Sequence, residues 1–408
     1  MSDSILLSAG SNAHGQLSNN SLHDAHFFSP CSFTGCPPGT LPNNRKLVQV
    51  ACGANHTIAL LQRDTPDGEL ITELWGCGDG SSGQLGPSYA SDESTSIFRQ
   101  LDLALERNRI SEYLPKMVCA SWETTYVVLS AQGKPDVLIS MGANDFGDLG
   151  IGAKRAGKLP AKDFHLVQFD HLEMSLLVVE SMAAGQHHVV AKVKTALQDG
   201  TPADIVVGWG TSRHGQLGAV GKPFLLSPVI IPGHLGDAVV SAALGLQHTV
   251  FLHSSATLSG LGSNRKHQLE GVDIPTHVRG VDCTWNGTYV VTGDELSWTL
   301  LSTGNNANGQ LGRGDAPDTR VAFPFTSETH RLLDIACGSE HVLASFVVRS
   351  SDAVEVWGWG WNEHGNLGIG TTDDVRVPIR IWPRETSMIP QGAITIWAGS
   401  GTSWIAIQ

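Results

Sequence analysis

One short sequence signature returns seven times along the 408-residue chain, and this repetition restricts the possible folds more than any other feature. Each copy begins with a glycine, continues through a small polar turn and ends in Gly-Gln-Leu-Gly or a close variant. The first glycines of the copies are Gly10, Gly78, Gly142, Gly210, Gly262, Gly304 and Gly360. Self-similarity at a spacing of several tens of residues is typical of solenoids, propellers and other repeat architectures.

A second signature alternates with the first and consists of a short apolar run, then Gly-x-x-His and another apolar run. Four copies keep the histidine, and three have lost it. The retained histidines are His56, His188, His248 and His341. The altered copies lie at residues 119–127, 283–290 and 397–404. Two independent signatures that each occur seven times in alternation predict seven structural units.

Each unit has the composition of several short β-strands joined by glycine turns. The stretches before the turns are apolar or alternate in polarity, as in residues 69–75 and 353–357, which is typical of strands. Glycine accounts for 46 residues of the chain, and it suits turns that need a positive φ angle. The pattern predicts an all-β fold, a seven-bladed β-propeller built from four-stranded blades.

The chain begins within one unit and ends within another, so we expect its two ends to share a blade. The opening strand at residues 5–8 would pair with the closing segments 394–397 and 405–407. A shared blade closes the ring and protects the edges of the sheets. The length alone would suggest two or three domains, but the repeat predicts one propeller domain over residues 1–408.

Two segments interrupt the repeat and are predicted loop insertions, at about residues 29–45 and 87–116. The first is rich in proline and glycine. Within the second, residues 97–107 are a charged segment and a candidate helix, with apolar residues at mixed spacing. Insertions in repeat proteins often carry the individual function, so the second segment is either a decoration outside the ring or a docking element.

Composition and charge disfavour several classes of function. Lys and Arg total 26 and Asp and Glu total 39, which gives a net charge of −13. We expect no direct contact with nucleic acid, because phosphate binding needs clustered Lys and Arg. No apolar run reaches the ~18–20 residues of a membrane span, so no membrane partner is expected. Seven cysteines and an amino terminus without a signal-peptide pattern predict a reducing compartment, the cytoplasm with the nucleus as a second location.

The alternation of Gly-x-x-His-Thr with Trp-Gly-x-Asn-x-x-Gly-Gln-Leu-Gly resembles the regulator of chromosome condensation repeat, and the resemblance covers essentially the whole chain. A narrower similarity is to the fungal alpha-tubulin suppressor proteins, which are also known for killer-toxin insensitivity. It rests on the start at Ser-Ala-Gly-Ser-Asn, the lack of a basic tail and the ending at residues 396–404. This similarity implies a non-enzymatic scaffold that partners a small CSL-type zinc protein in diphthamide synthesis and Elongator-dependent tRNA wobble-uridine modification.

The founding member of the repeat family implies an alternative function, guanine-nucleotide exchange on a small Ran-like GTPase. Such a factor would displace nucleotide with a protruding wedge and acidic residues. Chromatin attachment would also need a basic tail, which neither end of this sequence carries. An extracellular inhibitor or lectin is disfavoured by the missing signal peptide. The expected assembly is a monomer or a heterodimer with the partner.

No group of residues in the sequence predicts catalysis, a cofactor or a metal. Histidines in equivalent repeat positions would be spread around the ring, where we expect the imidazoles to hydrogen-bond backbone between blades. Cys31 and Cys36 form the only close cysteine pair, and one pair falls short of the four ligands of a structural zinc site. Nucleophile and phosphate-binding motifs are lacking. The chain is therefore expected not to be an enzyme.

The loop residues that follow each Gly-x-x-His glycine distinguish the repeats from one another. Trp122 and Trp285 stand at equivalent loop positions, where core periodicity does not require them. They are either interface residues, for which tryptophan is enriched, or plugs of the channel in a widened blade. The candidate partner-binding residues are Trp122, Glu123, His187, Trp285, Asn286, Glu340 and, as lesser candidates on the opposite repeat phase, Trp361 and Glu363. The predicted core tryptophans are Trp75, Trp209 and Trp357.

Overall fold

The computed structural model describes residues 4–65, 67–89, 94–152, 163–169, 172, 177–196, 200–218, 221–231, 237–384 and 392–408. Within these ranges the chain forms 26 β-strands and one 3-10 turn at Leu105–Asn108. The strands make seven antiparallel sheets, which confirms the predicted all-β, seven-bladed propeller. None of the described residues form a helix long and apolar enough to cross a membrane.

Strands are numbered in chain order, and blade 1 begins at the third strand because the first two strands belong to the last blade. The first three blades each contain four strands. Blade 1 consists of β3 (Arg45–Cys52), β4 (His56–Asp64), β5 (Leu70–Gly78) and β6 (Thr95–Gln100). Blade 2 consists of β7 (Leu114–Ala120), β8 (Thr124–Ser130), β9 (Val137–Gly142) and β10 (His165–Leu166). Blade 3 consists of β11 (Leu177–Ala184), β12 (His188–Ala196), β13 (Pro202–Thr211) and β14 (Phe224–Ile230).

The remaining four blades complete the ring. Blade 4 consists of β15 (Val239–Leu244), β16 (His248–His253) and β17 (Leu258–Gly262). Blade 5 consists of β18 (Val278–Thr284), β19 (Gly287–Thr292) and β20 (Thr299–Gly304). Blade 6 consists of β21 (His330–Cys337), β22 (His341–Val348), β23 (Val354–Gly360) and β24 (Val375–Trp382). Blade 7 consists of β25 (Ile394–Ala398), β26 (Thr402–Ile407), β1 (Ile5–Gly10) and β2 (Ala25–Pro30).

Blade 7 unites the two ends of the chain, as the repeat phase predicted. Strand β1 pairs with β26 in register from Ile5–Ile407 to Gly10–Thr402. Strand β26 pairs in turn with β25. The first strands of the seven blades contact one another in a closed circuit around the axis. The ring is therefore closed by backbone hydrogen bonds between the amino-terminal and carboxyl-terminal strands.

Three details differ from the sequence-based expectations. Blades 4 and 5 have three strands each, and in blade 5 a single bridge from Leu301 to Arg320 stands where a fourth strand would pair. Residues 97–107 are not a helix, because their first part belongs to β6, where Phe98 is fully buried. Trp357 is half-buried, and the core tryptophan of β23 is Trp359.

The hydrophobic core lies between neighbouring blades. Ile58 and Leu60 of β4 pack in one cluster with Val127 and Leu129 of β8. The fully buried Trp209 sits between blades 3 and 2, and its Nε1–H donates to the Asp148 carbonyl of the blade 2 turn at 2.8 Å. Since apolar burial holds blades together in pairs, a blade cannot be stable without its neighbours.

The two sequence signatures meet at one end of every blade. The residue after the first turn glycine donates its N–H to the carbonyl of the residue before the histidine position, as in Asp79 to Asn55 at 2.7 Å. This hydrogen bond recurs in all seven blades. The turn glycine must be glycine, because Gly78 has φ +93° and a Cβ there would lie 2.3 Å from the Asn55 oxygen.

Each of the four repeat histidines ties its blade to the next. His56 Nε2 lies 2.9 Å from Thr125 Oγ1 of blade 2. That hydroxyl donates to the Gln84 carbonyl at 2.8 Å, so it accepts from the imidazole N–H. The equivalent partners of His188, His248 and His341 are the hydroxyls of Thr249, Thr288 and Ser403, at 3.1, 3.2 and 3.1 Å. The structural role between blades is confirmed, although the partner is a hydroxyl rather than the backbone.

The glycine of Gly-x-x-His makes room for the imidazole. A Cβ at Gly53 would lie 2.1 Å from His56 Cε1, and a Cβ at Gly338 would lie 2.2 Å from His341 Cε1. Contacts this short do not occur between real atoms. The glycine and the histidine of this signature are therefore one packing unit.

We expect Gly338→Ala to lower the free energy of unfolding by about 1–3 kcal/mol, because the new methyl group overlaps the His341 ring. Chemical denaturation followed by tryptophan fluorescence measures the loss. The matched control is Gly280→Ala in β18, where the nearest atom to a new Cβ is 3.9 Å away. Equal effects of the two substitutions would contradict the steric explanation.

We expect His56→Gln to flatten the acid dependence of stability. Burial lowers the pKa of His56 from 6.5 to about 4, so between these values the unfolded state binds a proton that the folded state does not. Stability conferred by the neutral imidazole is therefore present above pH 6.5 and is lost as the pH falls towards about 4. The wild-type free energy of unfolding should fall more steeply than that of the variant, by up to about 1.4 kcal/mol per pH unit.

Denaturant unfolding of both proteins at several pH values in this window measures the difference between the two slopes. Comparing slopes is necessary because other groups titrate in the same range. Burial raises the pKa of Asp282 to about 6, which stabilises the folded state as the pH falls. Parallel curves for the wild type and the variant would show that His56 does not contribute.

Candidate functional site

The loops that carry the two signatures lie at the same end of the ring, which we call the motif face. It is defined by the loops at residues 53–55, 121–123, 185–187, 245–247, 284–286, 338–340 and 399–401, together with the glycine turns bonded to them. The hairpins between the second and third strands of each blade lie at the opposite end, which we call the hairpin face. All eight candidate residues lie on the motif face, including Trp361 and Glu363, which belong to the other signature.

Trp122 and Trp285 meet over the axis of the ring. Residues from all seven blades line a pocket of about 100 Å³, so this pocket is axial, and both tryptophans contribute to it. Their ring centroids are 5.9 Å apart with an interplanar angle of 46°. Blades 2 and 5 are not neighbours, so the two side chains reach towards each other across the opening. Both are half-buried, and part of each ring therefore covers the channel while part remains accessible.

The backbone beneath the tryptophans is held by the adjacent blades. The N–H of Trp122 donates to the Gln186 carbonyl at 3.1 Å, and its carbonyl accepts from the Ala54 N–H at 2.8 Å. The N–H of Trp285 donates to the Ser339 carbonyl at 2.7 Å. These bonds cross from blade to blade, so the loops that present the indoles are rigid parts of the ring.

A row of rings leads from the axis to the rim, and we call it the aromatic track. It consists of Trp285, Trp122, His187, Phe146 and Phe224. After the two tryptophans, His187 follows at 6.4 Å from Trp122, Phe146 at 4.2 Å from His187 and Phe224 at 5.7 Å from Phe146. Asp148 Oδ1 lies 3.3 Å from His187 Nδ1 and orients that imidazole. The track crosses the motif face of blades 2 and 3.

Sequence reasoning missed Phe146 and Phe224. Phe146 stands at the turn position before Gly-Gln or Gly-Asp, where other copies carry polar residues such as Ser82, His214 and Asn308. Reading that column would have revealed the exception. Phe224 opens the outer strand β14, where an aromatic residue is unremarkable, so no local signal marks it.

The predicted acidic residues are used in part by the fold itself. Asn286 Nδ2 donates to Glu340 Oε1 at 2.8 Å, and Gln310 Nε2 donates to the second carboxylate oxygen. Burial raises the pKa of Glu340, which these hydrogen bonds oppose. Glu123 is less engaged and accepts one hydrogen bond from the Ser82 hydroxyl at 3.3 Å. Glu340 therefore braces the loops of blades 5 and 6.

Trp361 and Glu363 form a separate group at the junction of blades 6 and 7. Trp361 Nε1 donates to Glu363 Oε2 at 3.3 Å, and its ring packs edge-on against His364 with centroids 5.3 Å apart. His364 Nδ1 lies 2.7 Å from Asp24 Oδ2 of blade 7. The eight candidates thus fall into separate groups. Trp122, Trp285 and His187 belong to the aromatic track, Asn286 pairs with Glu340, and Trp361 lies with Glu363 at the periphery. Glu123 contacts Ser82.

The chemistry available on the motif face suits binding. In the part of the chain that the structure describes, no three His, Cys, Asp or Glu side chains are grouped closely enough to hold a metal ion. All seven cysteines are free thiols. Burial raises the pKa of Cys31, Cys52 and Cys119 to about 12, so these thiols are protonated at neutral pH. The face offers a ligand aromatic surface, carboxylates and, between blades 3 and 4, the cations Arg213, Lys222 and Arg265.

Comparison with known families identifies the repeat. The regulator of chromosome condensation (RCC1) repeat matches residues 3–60, 299–345 and 355–403. A second description of the same repeat matches residues 47–84. The matched segments include both signatures and both ends of the chain.

Several proteins of known sequence or structure are similar over most of the chain. The ultraviolet-B receptor UVR8 of Arabidopsis thaliana is 26% identical over 93% of this chain and 78% of its own length. The secretion-regulating guanine nucleotide exchange factor of Mus musculus is 26% identical over 99% of this chain and 84% of its own length. The crystal structure of human WBSCR16 superimposes with a TM-score of 0.70, covering 99% of both chains at 20% identity, and this likeness shows the fold.

A double-mutant cycle tests whether the axial tryptophans meet in solution. The free energies of unfolding of Trp122→Ala, Trp285→Ala and the double variant should show a coupling of about 0.5–1.5 kcal/mol, the range found for aromatic pairs. The control cycle combines Trp122→Ala with Trp361→Ala, whose ring contacts His364 instead, and should be additive within about 0.5 kcal/mol. Additivity of the first cycle would contradict the contact.

Proposed function

Because the chain belongs to the regulator of chromosome condensation repeat family, we propose that it is a non-enzymatic scaffold that docks another protein on its motif face. The observation that carries this proposal is the pair of half-buried tryptophans over the axis. Soluble proteins seldom place two large indoles together on a surface without a use for them. Trp is among the residues most enriched at the energetic centres of protein interfaces.

The construction of the motif face supports docking with little loss of entropy. The loops beneath Trp122 and Trp285 are hydrogen-bonded to neighbouring blades, so they need no ordering when a partner arrives. Each indole has only two side-chain torsions to restrict, and the two rings already limit each other's motion. The binding surface is therefore preorganised, and little of the binding free energy is lost to ordering the loops and side chains.

For the partner, we propose a small CSL-type zinc protein of diphthamide synthesis and Elongator-dependent tRNA wobble-uridine modification. The support for this identity is the sequence similarity to the fungal alpha-tubulin suppressor proteins. In this proposal the partner carries the metal, and the propeller positions and stabilises it as a one-to-one heterodimer. Contact would take place in the cytoplasm, and also in the nucleus if the complex enters it.

A second candidate function is guanine-nucleotide exchange on a small GTPase. The observation that favours it is the relative named a secretion-regulating guanine nucleotide exchange factor, which aligns with 99% of this chain. Carboxylates on the motif face, such as Glu123 and Glu363, would then compete with the nucleotide phosphates for their protein contacts. The Trp pair would serve as the docking surface in this case as well.

The experiment is affinity capture of partners by the full chain from extract of its own cells, with the captured proteins identified by mass spectrometry and assayed for zinc. We expect a stoichiometric small zinc protein whose capture is lost with Trp122→Ala, Trp285→Ala. Loss of a hot-spot pair typically costs about 2 kcal/mol or more, about thirtyfold in affinity. The matched control is Leu70→Ala, Leu296→Ala, which removes two exposed apolar side chains from the hairpin face.

The outcomes separate the two functions from each other and from the proposed surface. Recovery of a nucleotide-free GTPase, followed by accelerated release of labelled GDP in vitro, would replace the scaffold by the exchange factor. Capture that survives the tryptophan variant but not the leucine variant would move the docking surface to the hairpin face. Capture unaffected by either variant would leave the function standing and refute the motif face.

A further inference from the structure

A cationic pocket lies on the motif face between the glycine turns of blades 3 and 4. It has a volume of about 600 Å³ and includes residues of both turns and of the segment that leads into β14. Its charged side chains are Arg213, Lys222 and Arg265, with His214 beside them. A cluster of this sign stands out on a chain whose net charge is −13.

The three permanent cations of the pocket are exposed, and their ionic partners are missing within the described ranges. Arg213, Lys222 and Arg265 take part in none of the ion pairs found there. Lys116 of blade 2, by contrast, is paired with Asp136 at 2.7 Å. Three like charges around one cavity repel one another, and a bound anion would relieve that repulsion.

The walls of the pocket are fixed by buried side chains of the two turns. Gln216 and Gln268 are buried, and they accept hydrogen bonds from the backbone N–H groups of His214 and Lys266 at 3.0 and 2.8 Å. Asn264 Oδ1 also accepts from the Leu269 N–H at 2.8 Å. The cationic side chains therefore extend from rigid turns, and the cavity between them exists before a ligand binds.

The pocket is continuous with the aromatic track. The Arg213 guanidinium lies 5.6 Å from the centroid of Phe224, the last ring of the track, in a cation–π contact. A single surface thus runs from the tryptophans over the axis, across His187 and Phe146, to the cations at the rim. A partner segment that follows this surface would meet apolar rings first and positive charge at its end.

We propose that the pocket binds an acidic segment of the partner protein, with carboxylates on Arg213, Lys222 and Arg265 and an adjacent aromatic or apolar side chain on Phe224. The inference rests on the proposed function, and it specifies which part of the partner is recognised. Arginine suits this role because its planar guanidinium can hold a carboxylate through two hydrogen bonds.

The distribution of charge favours an acidic peptide over a nucleic acid. A phosphate backbone needs a basic stripe that follows it over many nucleotides, whereas Arg213, Lys222 and Arg265 surround a single cavity. Beyond the pocket the motif face carries the carboxylates of Glu123, Glu340 and Glu363, which would repel an extended polyanion. A short acidic segment joined to an apolar one matches the change from cations to aromatic rings along the surface.

The test uses the full chain and a fluorescein-labelled peptide of one Phe followed by alternating Asp and Glu, with binding measured by fluorescence anisotropy. The control peptide replaces Asp by Asn and Glu by Gln. We expect the acidic peptide to bind and the neutral peptide to bind at least about tenfold more weakly. Arg213→Gln, Arg265→Gln should weaken the acidic peptide by about tenfold, and added salt should weaken it for the wild type.

The matched control variant is Lys46→Gln, Arg320→Gln, which removes the same charge from two exposed positions outside the pocket. Equal weakening by both variants would reduce the effect to net charge and overturn the proposal. Displacement of the peptide by a single-stranded RNA at lower concentration than by unlabelled acidic peptide would assign the pocket to nucleic acid and also overturn it. Equal binding of the acidic and neutral peptides would do the same.

The two proposals fail in distinguishable ways. If the partner is captured through the tryptophans but the pocket variant binds both the partner and the acidic peptide like the wild type, the pocket inference is wrong and the scaffold function stands. If the acidic peptide binds in the pocket while no protein partner depends on Trp122 and Trp285, the scaffold surface is wrong and the anion site stands.

Discussion

The hydrogen bond from a repeat histidine to a hydroxyl of the next blade, with the imidazole packed against the glycine of its own loop, holds four of the seven junctions between blades. The imidazole of His56 lies against Gly53, where no side chain would fit, and reaches the Thr125 hydroxyl of the next blade. That hydroxyl is fixed by the Gln84 carbonyl of a glycine turn. This series of hydrogen bonds links two blades and both signatures within an otherwise apolar interface. Since a buried polar group is favoured only when it is paired, the series fixes the register of one blade on the next.

Two of the three blades that have lost the histidine have also lost the glycine that makes room for it. In blade 2 the glycine is replaced by Ser121 and the histidine by Thr124, and in blade 5 Thr284 precedes Gly287 in the same way. A Cβ at Gly287 would lie 2.8 Å from Thr284 Oγ1, so the threonine side chain occupies the space that the imidazole fills elsewhere. Glycine and histidine are therefore replaced together in blades 2 and 5, whereas blade 7 keeps Gly399, where a Cβ would lie 2.6 Å from Thr402 Oγ1.

Blades 2 and 5 are also those that carry the axial tryptophans. Trp122 follows Ser121 and Trp285 follows Thr284. The loops that have lost the glycine and the histidine are therefore the loops that present a tryptophan. The ring tolerates this because the loop backbone is still held from the adjacent blades, as the Trp122 N–H is by Gln186. The fold can therefore vary the side chains that face outward while its inter-blade hydrogen bonds remain. The aromatic track and the cationic pocket at its end are such variations.

The sequence by itself determined the number of blades, the closure by strands from both ends and the structural role of the repeat histidines, because each depends on local spacing repeated seven times. It also placed Trp122 and Trp285 in equivalent loops. It did not show that Trp122 and Trp285 touch, that Phe146 and Phe224 extend their row, or that Arg213 and Arg265 share a pocket. Those relations join residues of different blades, and the distance between blades is decided by ring closure and side-chain packing, which leave no periodic trace in the sequence. The outer strand at Thr95–Gln100 escaped detection for the same reason, since the mixed spacing of residues 97–107 does not reveal that Phe98 is buried between blades.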